Sequence, residues 1–148
     1  MADKQFRQTP LPAGEPRRAR HYTIVFDGGS LGNPGRGYGS YEIMADGELV
    51  RLGREEFEGS LTNNQAEYMT LIEALRWLAE ALGDDRRHAT VEIRGDSQLV
   101  INQLNGRWKV RNARMLPLVD EANALLRQFG SSRITWHPRA ESVRRLGH

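Results

Sequence analysis

Three acids in this chain sit where their spacing can do chemistry. Asp27 closes the run HYTIVF and precedes Gly28-Gly29, Asp96 closes ATVEIRG and precedes Ser97, and Glu67 lies about one turn into the segment beginning TNNQAEY. Taken singly, each has an ordinary explanation: a turn, a helix cap, an acid favoured at a helix start. Brought together, three carboxylates repel and shift one another's pKa unless a cation occupies the space between them. Oxygen donors of this kind select a hard ion, Mg2+ or Mn2+. The chain has no cysteine, and its four histidines (His21, His88, His137, His148) show no paired zinc spacing.

The elements needed to gather these acids can be read from pattern. HYTIVFDGG is rich in β-branched and aromatic residues and predicts a strand ending near Asp27. GRGYGSYEIMADGELVRLGREEFEG predicts two further strands joined at Asp46-Gly47, a hairpin turn with positive φ. LTNNQAEYMTLIEALRWLAEALGDD is a long amphipathic helix with a Thr62/Gln65 capping box and Gly83 as its C-terminal stop. Then come a strand at ATVEIRG, a short helix ending at Gly106, a second amphipathic helix from Met115 to a stop at Gly130 with Pro117 in its first turn, a strand at SRITW broken by Pro138, and a short tail. A right-handed crossover makes the strands ending at Asp27 and Asp96 parallel neighbours, with both acids at the edge where open α/β sheets bind ligands. Glu67 projects from the helix edge toward that same end. Trp77 and Trp136 are assigned to the core and its margin, and His137 to the surface.

The chain has 148 residues, enough for one domain around one core. Residues 1–20, with three prolines and five basic side chains, read as a poorly packed arm with some attraction for phosphate, and residues 21–148 as the domain. No apolar run approaches the roughly 18 residues of a membrane span, so no membrane partner is expected and a soluble, cytoplasmic monomer is. Residues 21–85 hold 4 basic and 12 acidic side chains, residues 86–148 hold 12 basic and 5 acidic. A polyanion would prefer the second half.

FDGGSLGNPGRGYGSY, TNNQAEYMTLIEAL, RGDSQLVINQLNGRWKV and NARMLPL, in this order, resemble a type 1 ribonuclease H, of the compact form without the basic protrusion. The resemblance covers residues 22 to about 139. It implies an α/β ribonuclease H-like fold, a five-stranded mixed sheet whose first three strands are antiparallel, flanked by helices. It also implies that Asp27, Glu67 and Asp96 are catalytic and metal-binding, that two ions are used, and that the RNA strand of an RNA-DNA hybrid is cut to 5′-phosphate and 3′-hydroxyl ends.

Substrate contacts follow in part from chemistry. Gly28 and its neighbouring glycines either make a turn or let a sugar-phosphate chain approach bare backbone. Asn33, Asn63, Asn64 and Gln98 fit the resemblance as amides that donate and accept at a ribose 2′-hydroxyl, though Asn63 and Asn64 can equally stabilise a helix start. Trp108 and Lys109, among Arg107, Arg111 and Arg114, either combine a flat ring with cations for the DNA strand or form a half-buried ring in a solvated loop.

The family's last helix carries a motif resembling P-R-E-x-N-x-x-A-D. Pro138-Arg139 begins it, but Ser142 stands where asparagine is expected and Leu146 where the fourth carboxylate should be. Three readings stay open: His148 is the fourth metal ligand, Glu141 or water fills the place, or the chain is a catalytically impaired or inactive hybrid-binding module.

Overall fold

The computed structural model describes residues 20–147; residues 1–19 of the arm assigned to residues 1–20, and His148, lie outside them. β1 (Arg20–Leu31), β2 (Gly35–Ala45) and β3 (Glu48–Leu61) form an antiparallel meander. α1 (Asn63–Leu82) and a 3₁₀ segment (Gly83–His88) lead into β4 (Ala89–Gly95), followed by α2 (Gln98–Leu104), α3 (Leu116–Leu126), β5 (Ser131–Trp136) and α4 (Arg139–Leu146). The sheet order is β3-β2-β1-β4-β5, with β4 parallel to β1 and β5 parallel to β4. This is the five-stranded mixed sheet that the resemblance implied.

Local signals explain most boundaries. Asp46 and Gly47 take φ of 49° and 90° in the β2–β3 turn, and the Asp46 carboxylate accepts from Arg20 Nε and the His21 amide. Thr62 and Gln65 form the full capping box at the start of α1, and Gly83 caps its end with φ 56°. Its apolar face, Tyr68, Leu71, Ile72, Leu75 and Leu78, packs on Tyr22, Ile24, Phe26, Tyr41 and Ile43 of the sheet.

Four expectations needed correction. β1 does not end near Asp27 but runs to Leu31, because β2 pairs with it as far as Leu31↔Arg36. It also takes in Arg20, which pairs with Ala89. α3 ends at Leu126 and a turn carries the buried Phe129 to Gly130. The segment after β5, a tail by pattern alone, is the eight-residue helix that the resemblance implied, with Pro138 as its N-cap.

The pleat then sets the site. Alternation along β1 turns Tyr22, Ile24 and Phe26 toward α1. Val25 and Asp27 face the opposite side, where α4 lies, tied to β2 by Arg145, whose Nε donates to Glu42 Oε1 at 2.5 Å. The β1–β4 pairing stops at Val25↔Arg94. Beyond it β1 continues with β2 while β4 turns into α2, which opens a crevice beside Asp27 at the carboxyl ends of the parallel strands.

Candidate active site

Asp27 lies on β1 beside this crevice, Asp96 directly after β4, and Glu67 in the second turn of α1. One carboxylate oxygen from each lies within 4.8 Å of the other two. Asp27 and Glu67 are only 2% and 6% exposed. What seats Glu67 there is glycine. Gly28 and Gly39 pair across β1 and β2. A Cβ on Gly28 would stand 2.8 Å from the Ala66 carbonyl group, and one on Gly39 would stand 1.8 Å from Thr70 Oγ1. Bare backbone on both strands lets the first turns of α1 settle onto the sheet beside Asp27. The lack of a side chain at Gly28 therefore answers to the helix, whatever its amide meets in addition.

Asp96 is fixed from two sides. The Trp136 indole donates to its carbonyl at 3.0 Å, and Ser97 caps α2 by accepting from the Val100 amide. The pocket is short of positive charge. Burial first, and then the charges of Asp27 and Asp96, push the Glu67 carboxyl from 4.5 up to about 8, against the opposing pull of Ser97 and Arg139. Arg139, the first residue of α4, crosses to the cluster: its Nη1 donates to Asp27 Oδ2 at 2.6 Å and to Asp96 Oδ2 at 3.1 Å. Three converging carboxylates, one still driven toward protonation with a guanidinium present, fit a hard divalent ion bound through oxygen.

Residues 26–143 match a family model described as reverse transcriptase-like. A ribonuclease H of Cupriavidus pinatubonensis is 34% identical over 123 residues, covering 77% of this chain and 78% of that protein. The chain belongs to the type 1 ribonuclease H family. The ribonuclease HI of Halobacterium salinarum is 40% identical over 131 residues, 88% of this chain and 63% of the relative. The bifunctional protein Rv2228c of Mycobacterium tuberculosis is 41% identical over 121 residues, 81% of this chain, which thus spans only 32% of that relative's length. Among solved structures, the RNase H1 of Halobacterium salinarum superimposes with a TM-score of 0.74 at 39% identity, covering 84% of this chain and 90% of that one. LC11-RNase H1, solved in complex with an RNA/DNA hybrid, gives 0.72 at 28% identity, with 83% and 89% covered.

Within this ribonuclease H frame the other predicted residues fall into two groups. Asn33 and Asn63 form a clasp: the Asn63 amide donates to Asn33 Oδ1, and Asn63 Oδ1 accepts from the Ser30 amide and hydroxyl. Both side chains thus hold the β1–β2 turn against the start of α1. Asn64 is half-buried next to them, and Gln98 is exposed two residues after Asp96. Trp108, 46% exposed, and Lys109 lie in the exposed loop between α2 and α3.

At the fourth position, Leu146 is 5% exposed and so faces protein. The Glu141 carboxylate is held by both Arg144 Nε and Nη2 on the surface of α4 and does not join the cluster, which corrects the idea that it reaches in. The His148 assignment lies outside the described residues. His137 is not a surface residue: it is buried, its amide donates to the Gly95 carbonyl, and its Nε2 pairs with Ser142 Oγ at 2.9 Å. Burial depresses its imidazole pKa. Trp136, placed at the core margin, is 44% exposed, and its indole is bonded to the Asp96 carbonyl. The reach of Arg139 was missed. Its local signal was only its place directly after Pro138, at the first position of α4.

Proposed function

We propose that this chain is a divalent-metal-dependent endonuclease that hydrolyses the RNA strand of RNA-DNA hybrids. The observation that carries the reading is the meeting of Asp27, Glu67 and Asp96 within 4.8 Å in a chain of the ribonuclease H family. A bound Mg2+ or Mn2+ would be held by these three side chains, and would polarise the phosphate and lower the pKa of the attacking water. Water adds to phosphorus and the bond to the 3′-oxygen breaks, leaving a 5′-phosphate and a 3′-hydroxyl. The carboxylates would hold that ion where the reacting phosphate can meet it, and their burial excludes bulk water, which strengthens every charge interaction there.

Recognition rests on residues beside the cluster. Asn64 and Gln98 offer amides to ribose hydroxyls and minor-groove edges, with Asn33 and Asn63 as the frame that holds the loop, and the Gly28 amide lies alongside. Trp108 and Lys109 take the DNA strand. The hybrid seen with LC11-RNase H1 supports this substrate class for the present chain.

A second reading, a hybrid-binding module without turnover, is favoured by the buried leucine at position 146. One experiment separates the two. A labelled RNA-DNA hybrid is incubated with the chain in Mg2+ and in Mn2+, alongside Asp27→Asn. Cleavage of the RNA strand only, lowered at least about 100-fold by the substitution with hybrid affinity kept, supports the nuclease. Binding with no cleavage in either metal supports the module.

A further inference from the structure

α4 brings a cation to the pocket where a ligand would be looked for. Arg139, Ser142 and Leu146 share one face of this helix by their spacing. Ser142 and Leu146 are buried on that face, and the Ser142 hydroxyl is engaged by His137. Glu141 is engaged by Arg144. The group that does arrive is the Arg139 guanidinium, in contact with both Asp27 and Asp96. Three ionised carboxylates and one guanidinium carry a net charge that a single divalent ion balances, and among the described residues no fourth carboxylate joins the cluster to hold a second ion.

We infer that the pocket takes one divalent ion and that Arg139 supplies, as a fixed part of the chain, the second positive charge at the reacting phosphate. The inference rests on the nuclease reading above. Its geometry is favourable: the Arg139 side chain is 59% exposed, so its guanidinium can exchange a carboxylate oxygen for a phosphate oxygen with little desolvation, and guanidinium matches phosphate in a two-point fit.

The test is an ion count. The chain is mixed with hybrid and Mn2+, frozen before the first turnover, and its electron paramagnetic resonance recorded beside a calorimetric titration. One Mn2+ per chain with a mononuclear spectrum is expected, and His148→Ala leaves that count at one. Two ions per chain with a spin-coupled signal, as from ions about 4 Å apart, would overturn the inference. Arg139→Ala is expected to lower kcat about 100-fold with KM for hybrid nearly unchanged, to bind its one Mn2+ more tightly because a competing cation is gone, and to be partly rescued by Arg139→Lys. A kcat within about threefold of the parent's would overturn it equally. Leu146→Asp, if it folds, should add a second ion. The count is taken without turnover, so a chain that binds one Mn2+ but never cuts hybrid sinks the nuclease reading and leaves the one-ion pocket standing.

Discussion

Glu67 shows how far burial shapes chemistry at the scale of one residue. The folded, ion-free chain holds its proton up to about pH 8, whereas an unfolded chain releases it near 4.5. The folded state therefore binds the extra proton between these values. The stability tied to this group is fully present below 4.5 and is lost as pH rises through 8, a change on the order of 4–5 kcal/mol. In chelator, urea midpoints should fall across that window, and Glu67→Gln should flatten the fall. Divalent ions should bind with release of a proton at neutral pH, readable by calorimetry in buffers of different ionisation enthalpy; pH-independent midpoints in the parent chain would contradict this account. Asp27, Glu67 and Asp96 were legible in the sequence because each follows from a local pattern: an acid at the close of an apolar run, or one turn into a capped helix. Arg139 was not, since its reach of 112 positions back to Asp27 depends on how α4 docks. The buried His137–Ser142 pair was hidden for the same reason, as neither residue type announces burial.

At the scale of elements, the Gly28–Gly39 saddle links strand sequence to the geometry of the carboxylate cluster. Strands containing glycine are weakened by poorer packing and entropy unless another backbone needs the room. Here α1 needs it. Thr70, whose hydroxyl donates to the Ala66 carbonyl, fills the space over Gly39, so Gly39→Ala must push α1 away from the sheet. We expect about 1–3 kcal/mol of destabilisation from overpacking, together with weaker divalent-ion binding, because Glu67 moves with its helix. Thr70→Ala added to Gly39→Ala should recover part of both; a Gly39→Ala chain with parental melting and ion affinity would show that the saddle has slack. The order of strands and helices was legible because period-2 and period-3.6 patterns and the capping residues are local. The overrun of β1 past Asp27 was not: it is imposed by pairing with β2, and the glycines there gave no periodic signal. That overrun is what places Asp27 beside an open crevice instead of in a loop.

For the whole molecule, the charge asymmetry along the sequence carries a consequence for binding. The basic second half includes Arg107, Lys109, Arg111 and Arg114 in the exposed stretch between α2 and α3, with Trp108 among them. Under the proposed function, exposed cations of this kind would contribute to hybrid binding through counterion release, a contribution that weakens as salt rises. A stacked or packed ring contributes largely independently of salt. The two are separable. Lys109→Ala with Arg111→Ala should weaken hybrid binding at low salt and lower the slope of log affinity against log salt by roughly 1 for each phosphate no longer neutralised. Trp108→Ala should instead weaken binding by about 1–3 kcal/mol with the slope preserved. Neither set touches the carboxylate pocket, so kcat at saturating hybrid should stay near the parental value in both. Equal slopes in all three chains, measured by fluorescence anisotropy from low to moderate salt, would place the DNA strand elsewhere on the molecule.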